Sequence, residues 1–287
     1  MSLPGETGST LPATGPGTGS APGFATEHGV GLVGHLRRLP QWLIARIERE
    51  RFNPSLLGVF VNPNFPTRRR IARFVRRHAA LLTGDVLDFG GGEMPYRALV
   101  RARSWRSVEY APSLAGSDLN GIARRSRLGH QHIYYDGSHI PLPDETVDAV
   151  LATEVLEHVF NLEELLVELR RVLRPGGQLL ATIPFAMYEH EVPHDFARYT
   201  SFALRQRLTA AGFEVERLEK LSGMLEVWLQ MTTWLWWQRA RRGSRLAWLG
   251  APTLPLINLA AWLLEGRDTS SSGHFLTQGV VACKPGQ

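Results

Sequence analysis

Three acidic side chains come at the ends of three successive predicted strands. Asp88 precedes the run Gly90-Gly91-Gly92, Glu109 comes next along the chain, and Asp136 is followed by Gly137. In an open parallel sheet, ligands bind beyond the carboxyl ends of the strands, and glycines let backbone N–H groups approach a ligand closely. An acid placed like Glu109 can accept from both hydroxyls of an adenosine ribose, and one placed like Asp136 from the exocyclic amine of adenine. The pattern therefore predicts a nucleoside-binding edge.

A second group of chemistry-bearing residues follows the fourth predicted strand. Two carboxylates and an imidazole lie on adjacent turns at Glu154, Glu157 and His158. One interpretation is that they shape a pocket at the start of a helix. The other is a site for a hard divalent ion such as Mg²⁺ or Mn²⁺, with a further ligand from His190 or His194. The first interpretation is favoured, so a required metal is not predicted.

The loop after the fifth predicted strand carries two histidines among acids, tyrosines and an arginine. His190 or His194 is the candidate general base, and Asp195 would orient it. The alternative is that Asp195, Arg198 and Tyr199 only fix the loop and cap the next helix. Both interpretations remain open from the sequence.

Alternating strands and helices must position these residues. Amphipathic helices are predicted over 67–82 and 162–173, and shorter helices over 97–103 and 200–211. Strands separated by helices require right-handed crossovers, which predicts an α/β fold with a mostly parallel sheet and helices on both faces. Seven strands are predicted, at 86–90, 107–110, 132–136, 146–153, 177–185, 213–221 and 275–285.

Composition divides the chain into segments. Residues 1–33 are rich in Gly, Pro, Ser and Thr and are predicted to be a disordered tail, because they have little to bury. N-terminal helices are predicted over 34–82, the first from His35 to Phe52, and the arginine face of the second is expected to lie in solvent. The remaining segments are the core at 83–222, a helical insertion before the last strand at 223–266, and the final strand of the core at 267–287.

The insertion holds six of the eight tryptophans of the chain. Its second half, Ala247 to Leu264, has no charged residue, but Pro252 and Pro255 interrupt it, so a continuous spanning helix is not expected. Two interpretations are open for 223–265. It is a helical cap over the site, or it lies at the surface of an anionic membrane, where indoles and arginines favour the headgroup level. The arginines concerned are Arg239, Arg241, Arg242 and Arg245.

Overall composition narrows the class of protein. The net charge of +5 and the pI of about 9.8 suggest anionic partners, but the excess is modest and no nucleic-acid partner is predicted. The single cysteine, Cys283, excludes an internal disulfide framework and a Cys-based zinc cluster. Since no secretory signal pattern is visible, a cytoplasmic location is expected. If the insertion lies at a membrane surface, the protein would also be attached peripherally to the inner face of the membrane.

Three stretches together resemble the class I S-adenosylmethionine-dependent methyltransferases, in particular the small-molecule branch called type 11. VLDFGGGEMPY is similar to the first motif of that family, although Met94-Pro95 replaces its third glycine. Two further stretches match the segments that follow, DGSHIPLPDETVDAVLATEVLEHV and LEELLVELRRVLRPGGQLLATIPF. The resemblance covers 55–220 and the last strand. It implies a Rossmann-like seven-stranded sheet and S-adenosylmethionine as the cofactor.

The resemblance also implies a role for each site residue. Asp88 would face the ammonium of the cofactor, Glu109 its ribose, and Asp136 its adenine. The loop after the fifth strand would line the acceptor pocket. The implied reaction is methyl transfer to oxygen or nitrogen of a small or lipid- or glycan-linked acceptor, in which the protein mainly aligns the reactants and excludes water. The cofactor-binding residues are expected to be Asp88, Gly90, Gly91, Gly92, Glu109, Asp136, Gly137 and Glu154.

Other classes of function remain open. A non-catalytic relative would keep the fold and bind a partner, and the basic helix 67–82 suggests a nucleic-acid methyltransferase. Against the latter, no N/D-P-P-Y/F tetrapeptide follows the fourth strand. A nicotinamide-dependent dehydrogenase would also use a glycine loop and a ribose acid, but Pro95 stands where its third glycine is required.

Overall fold

Seven strands form a single sheet in the computed structural model, which describes residues 49–92, 94–110, 132–241, 244, 250, 252–265 and 273–286. The strand order is β3-β2-β1-β4-β5-β7-β6, and only β7 runs antiparallel to its neighbours. All seven predicted strands are confirmed. They are β1 Asp85–Phe89, β2 Ser104–Tyr110, β3 His132–Tyr135, β4 Val147–Thr153, β5 Leu173–Pro184, β6 Glu214–Lys220 and β7 Thr277–Cys283.

Several predicted features lie outside the described residues. They are the tail 1–33, the greater part of the helix from His35 to Phe52, the side chain at position 93 of the glycine loop, and two arginines of the insertion, Arg242 and Arg245.

Six helices surround the sheet in the described part of the chain. They are α1 Gly58–Val61, α2 Phe65–His78, α3 Leu162–Val172, α4 Ser201–Ala210, α5 Met224–Arg241 and α6 Thr253–Leu263. The predicted helix over 97–103 is wrong, because only a short 3₁₀ turn forms at Arg97–Leu99. The chain then enters β2 at Ser104, which pairs with Asp85 of β1, so the strand begins three residues before its predicted start.

Helices cover both faces of the sheet, as predicted. The apolar stripe of α3, which includes Leu165 and Leu169, is fully buried against one face. The stripe of α2, which includes Ile71 and Phe74, is buried against the other. The central strands are buried on both sides, which explains why β4 reads as a nearly continuous apolar run.

The prediction that the arginine face of α2 lies in solvent is confirmed for Arg73, Arg76 and Arg77, which are exposed, but it is wrong for Arg70. The Arg70 side chain is 9% exposed, and its guanidinium donates hydrogen bonds of 2.7 Å to each carboxylate oxygen of Glu226 at the start of α5. Arg69 and Arg73 reach Glu265, just beyond α6, at 3.1 and 2.9 Å. The arginines of α2 therefore hold the insertion against the N-terminal helices.

Polar contacts complete the attachment of the insertion. The Asn258 side-chain amide of α6 donates to the carbonyl oxygens of Val59 and Asn62, at 2.9 and 3.0 Å. The Trp234 indole of α5 donates to the Asn64 side chain at 2.6 Å. These contacts use the inward faces of both helices.

The outward faces of α5 and α6 are apolar. Because the exposed side chains recur at helical spacing, each helix presents one continuous apolar strip. No helix within the described ranges is long and apolar enough to cross a membrane. The exposed side chains are Met224, Leu225, Trp228, Met231, Leu235, Leu256, Leu259 and Leu263.

Candidate active site

The glycine loop follows β1 at the carboxyl edge of the sheet. Gly90 has a φ of +68°, and a Cβ there would lie 2.3 Å from the Val155 side chain. A Cβ at Gly91 would lie 2.6 Å from the carboxyl carbon of Asp88. The loop therefore requires glycine at both positions, once for the packing of the β4 connection and once for the space that Asp88 occupies.

Asp88 is 1% exposed, and its Oδ2 atom has no hydrogen-bond partner among the described residues. Burial raises the pKa of this carboxyl well above its ordinary value, and the nearby charge of Glu109 raises it further. A buried carboxyl without a partner is unfavourable by itself. A cationic ligand group bound beside it would relieve that situation.

Glu109 joins β2 to the glycine loop. Its Oε1 atom accepts from the Gly92 N–H at 2.8 Å and from the Ser107 hydroxyl at 3.0 Å. The Glu109 side chain is buried near the end of β2, beside the glycine loop. Glu109 thus fixes the glycine loop. It also lies at the end of β2, where the sequence predicted a ribose-binding acid.

Asp136 lies at the exposed end of β3. Its Oδ1 atom accepts from the Ser138 N–H, the Ser138 hydroxyl and the His139 N–H, at 2.8 to 2.9 Å. These hydrogen bonds lower the pKa of Asp136 to about 2. Gly137 takes a φ of +106° inside this turn. The described residues therefore hold Asp136 in a local turn, through hydrogen bonds to Ser138 and His139 rather than to Asp88 or Glu109.

Glu154 follows β4 with a φ of +50°. Its Oε1 atom accepts from the Thr277 hydroxyl of β7 at 2.8 Å, and burial raises the pKa of the carboxyl. Two nearby residues, Tyr96 and Arg68, were not predicted from the sequence as part of the site. Burial raises the pKa of Tyr96 to about 12, while the Arg68 charge acts in the opposite direction and Glu154 adds to the rise. Arg68 could not be distinguished by sequence among the arginines of α2.

A second cluster lies beside the loop after β5. The His158 Nε2 atom is 3.5 Å from Glu157 Oε1, and the His190 Nε2 atom is 3.8 Å from the same oxygen. The two imidazole rings meet edge to face, with centroids 4.8 Å apart. Glu154 is not one of the potential ligands that converge here. Of the two histidines predicted as a further ligand, His190 lies with Glu157 and His158, and His194 does not.

Asp195 orients one of the two candidate bases. Its Oδ2 atom lies 3.1 Å from His190 Nδ1 and accepts from the His190 N–H at 3.0 Å. Arg198 donates to both oxygens of Asp195 at 2.6 and 2.7 Å. Burial alone would raise the pKa of Asp195, but these hydrogen bonds outweigh it and lower the pKa. His194 instead offers its carbonyl oxygen, which accepts from His158 Nδ1 at 2.7 Å.

Burial also changes the protonation of this cluster. It raises the pKa of Glu157 well above its ordinary value, and the charge of Glu154 adds to the effect. It lowers the pKa of His190, which the neighbouring His158 lowers further. His190 is therefore held neutral at physiological pH. Its Nδ1 atom donates to the Tyr188 carbonyl oxygen at 3.3 Å, which leaves the Nε2 lone pair available.

The insertion contacts this cluster through one aromatic pair. The ring of Trp234 in α5 packs edge to face on Tyr188, with centroids 5.1 Å apart, and the Tyr188 ring lies 6.4 Å from His190. Val227 and Leu276 complete a small apolar core around Trp234. The α5 helix therefore supports the loop that carries His190.

These features match a known family. Residues 87–181 match the family described as a methyltransferase domain, and the match spans the glycine loop, all three acidic strand ends, β4 and most of β5. The chain contains a class I methyltransferase domain. It is of the type 11 branch, and S-adenosylmethionine is its cofactor.

The chain is also similar to three curated proteins. It is 34% identical over 142 residues to the fatty-acid O-methyltransferase of Mycolicibacterium smegmatis, covering 48% of this chain and 49% of that protein. It is 31% identical over 98 residues to the malonyl-acyl-carrier-protein O-methyltransferase of Serratia marcescens, covering 33% and 36%. It is 32% identical over 111 residues to a ubiquinone/menaquinone biosynthesis C-methyltransferase of Rubrivivax gelatinosus, covering 38% and 42%. The chain thus spans less than half the length of each of these three relatives.

The fold matches solved structures over a longer stretch. The cyclase SpnF superposes with a TM-score of 0.50 and 22% identity, covering 77% of this chain and 82% of that one. This likeness shows the fold alone. It extends the comparison beyond the matched family segment.

The residues of the methyltransferase domain fit S-adenosylmethionine. The loop space that a Cβ at Gly90 or Gly91 would fill allows close approach of a ligand. The unpartnered buried carboxyl of Asp88 suits the cofactor's ammonium, and Glu109 lies where a ribose-binding acid is expected.

Proposed function

We propose that the protein transfers a methyl group from S-adenosylmethionine to an oxygen of a lipid-like acyl acceptor. The observation that supports the cofactor half is the buried carboxyl of Asp88, whose Oδ2 atom has no hydrogen-bond partner among the described residues, beside a loop that requires glycine at Gly90 and Gly91. Support for the acceptor half comes from two relatives that are named as O-methyltransferases of a fatty acid and of a malonyl thioester carrier.

The roles of the chain's own residues follow from their positions. Asp88 would hold the cationic end of the cofactor, and Glu109 would hold its ribose while it fixes the glycine loop through the Gly92 N–H. Asp136 and Glu154 are proposed at the adenine edge and at the floor of the site. The bound cofactor supplies a methyl group on a positively charged sulfur, so the main tasks of the protein are to align the acceptor and exclude water.

The need for a general base depends on the acceptor. A carboxylate oxygen is already deprotonated at neutral pH and needs no base, whereas a hydroxyl does. If a base is required, the geometry favours His190, because the Tyr188 carbonyl oxygen accepts its Nδ1 proton at 3.3 Å and Asp195 Oδ2 lies 3.1 Å from the same nitrogen, while the Nε2 atom stays available. His190→Ala would then abolish turnover of a hydroxyl acceptor with cofactor binding intact, and His194→Ala would leave most of it.

The outward strips of α5 and α6 are proposed to contact the lipid acceptor's membrane. With that contact, the protein is proposed to act at the cytoplasmic face of the membrane. A nucleic-acid acceptor is disfavoured, because three arginines of α2 are paired with Glu226 and Glu265. A small soluble acceptor remains the alternative.

Transfer of a labelled methyl group tests the proposal. Full-length protein with methyl-tritiated S-adenosylmethionine is incubated with long-chain fatty acids, malonyl thioesters, hydroxylated lipids and a soluble lipid-free extract, and label in each product is counted. Label entering a fatty acid, an acyl thioester or a hydroxylated lipid supports the proposal. Label confined to lipid-free metabolites overturns the acceptor class, and failure to bind the cofactor in calorimetry overturns the function.

A further inference from the structure

Three potential metal ligands converge outside the cofactor loop. Glu157 Oε1 lies 3.5 Å from His158 Nε2 and 3.8 Å from His190 Nε2, and the ligand atoms of the three residues all lie within 4.8 Å of one another. Ligand atoms around a tetrahedral ion with bonds near 2.1 Å are separated by about 3.4 Å. Side-chain shifts of up to roughly one ångström would bring these three atoms onto one ion.

Each histidine is oriented by an outer partner. His158 Nδ1 donates to the His194 carbonyl oxygen at 2.7 Å, and His190 Nδ1 lies 3.1 Å from Asp195 Oδ2. A carbonyl and a carboxylate only accept, so both protons are on Nδ1 and both Nε2 lone pairs face Glu157. A carboxylate or carbonyl behind the imidazole is the outer-shell arrangement found at metal sites.

Glu157 supplies the charge that such an ion requires. Its side chain is 0% exposed, and neither of its carboxylate oxygens has a hydrogen-bond partner among the described residues. Buried polar groups are almost always paired, so an unpaired carboxyl with two imidazole nitrogens beside it needs an explanation. A bound cation satisfies the carboxylate and both lone pairs together.

We propose that Glu157, His158 and His190 bind a divalent transition-metal ion of the Zn²⁺ or Mn²⁺ class. Two imidazoles with one carboxylate favour such ions over Mg²⁺ and Ca²⁺, which prefer ligand sets made of oxygen. The exposed Glu191 carboxylate, 3.8 Å from His158 Nε2, lies at the rim and can complete the set or give way to an acceptor oxygen. The geometry of the site does not depend on the methyl-transfer proposal, but an ion bound here would occupy the Nε2 lone pair of His190, so His190 could not then also act as the general base.

A cation here would also matter for an anionic acceptor. Glu157 and the loop residues Asp195 and Glu191 lie close together, and their negative charges oppose the approach of a carboxylate. A divalent ion held at the three ligands would offset two of these three negative charges, and Arg198, which is paired with Asp195, offsets the third. The metal then becomes a means of placing an acceptor oxygen.

Cobalt binding tests the proposal without reference to activity. Full-length protein is stripped with a chelator and titrated with Co²⁺, whose visible absorption reports imidazole and carboxylate ligation, and Zn²⁺ is then added as a competitor. The wild-type protein should bind one Co²⁺ and release it to Zn²⁺. Glu157→Gln and His190→Ala should each weaken binding at least tenfold, and Asp195→Asn should weaken it by roughly 10–100-fold through the loss of an outer partner.

His194→Ala is the matched control. It lies in the same loop, keeps the carbonyl that orients His158, and should bind Co²⁺ like the wild type. Circular dichroism and cofactor calorimetry show whether each variant is folded. If Glu157→Gln does not fold, the comparison with the control uses His190→Ala. The proposal is overturned if the wild type gives no visible band, or if the folded ligand variants bind as tightly as the His194→Ala control.

Discussion

At the scale of single residues, the site depends on two glycines that serve different neighbours. Gly90 leaves room for Val155 of the next strand connection, and Gly91 leaves room for the carboxyl of Asp88. The sequence predicted the glycine run and the acid before it. It could not predict that the hydrogen of Gly91 faces Asp88, because that contact depends on the exact path of the loop.

A methyl group at Gly91 should displace Asp88. In Gly91→Ala the new Cβ would lie 2.6 Å from the Asp88 carboxyl carbon, so the carboxyl must move from the cofactor site. We expect affinity for S-adenosylmethionine to fall by roughly 1–3 kcal/mol, the effect of leaving buried polar groups without partners. Calorimetry measures it, with Gly273→Ala as the control, because a Cβ there meets nothing within 4 Å. Equal affinities in the two variants would contradict the role of Asp88.

Cofactor binding should depend on pH through Asp88. Burial holds its pKa well above the ordinary value in the free protein, and the cofactor's ammonium favours the ionised form. Binding therefore releases a proton while the pH is below that raised pKa, so affinity increases as pH rises and becomes constant above it. Calorimetry in buffers of different ionisation enthalpy should show this proton release for the wild type and a smaller release for Asp88→Asn. Identical proton release in both would exclude Asp88 as the titrating group.

The candidate base illustrates the limit of spacing arguments. His190 and His194 lie four positions apart in an irregular loop, so no periodicity separates their roles. Only the coordinates show that Asp195 pairs with His190, and that His194 contributes its backbone carbonyl to His158. Which of them serves in catalysis stays a prediction.

At the scale of elements, the attachment of α5 to α2 is the feature that the sequence least revealed. A run of like charges along a helix is usually solvated, and the acids that neutralise it come more than 150 positions later in the chain. Arg70 and Glu226 meet only because β7 must return to the sheet after the insertion. Such a long-range ion pair leaves no local signal.

Loss of Arg70 should destabilise the protein strongly. Its partner Glu226 is 5% exposed at the side chain, and Arg70→Leu would leave that carboxylate buried without its cation. Removing one member of a buried pair typically costs about 3–5 kcal/mol. We expect a loss of this size in urea unfolding, and a partial recovery in Arg70→Leu/Glu226→Leu. Arg76→Leu, on the exposed side of α2, is the control and should change stability little.

The strands were predicted more securely than their ends. Continuous apolar runs identify β1, β4 and β7 without reference to neighbours, whereas β5 begins four residues before its predicted start. The reason is tertiary: the Gly176 N–H donates to the Lys284 carbonyl oxygen and the Lys284 N–H to Gly177, which extends the pairing into the turn. No local pattern encodes that contact.

At the scale of the whole molecule, charge and apolar surface are distributed unevenly. Arg69, Arg70 and Arg73 of α2 are paired with acids, whereas α5 and α6 expose apolar strips. Arg239 lies near the end of α5. Exposed apolar patches of this kind mark interaction surfaces. The sequence left two interpretations of the insertion open, a cap and a membrane segment. Among the described residues, α5 and α6 pack inward through polar contacts and around Trp234, and the side chains that they expose outward are mainly apolar.

Membrane association should depend on these strips. Full-length protein should co-sediment with anionic liposomes, and less so at high salt, because headgroup attraction is screened. Trp228→Glu and Leu256→Glu should release it while cofactor affinity is unchanged. Phe202→Glu, an equally exposed apolar position on α4, is the control and should still sediment. Neutralising the arginines should also release the protein, at positions Arg239, Arg241, Arg242 and Arg245.

A supernatant-only result at low salt would contradict the membrane proposal. The strips would then serve another apolar partner or a soluble acceptor. Cofactor binding measured on the same preparations keeps this outcome separate from a misfolded protein.

The position of β7 between β5 and β6 also sets the order in which the sheet can be completed during synthesis. β5 and β6 emerge from the ribosome first, while the strand that must pair with both follows only after the whole insertion. At about 5–20 residues per second, the fully buried edge of β5 waits several seconds without a neighbour. An unpaired apolar edge recruits other chains. We therefore expect that a chaperone can bind the unpaired edge of β5 in the nascent protein until Thr277–Cys283 pairs with β5 and β6.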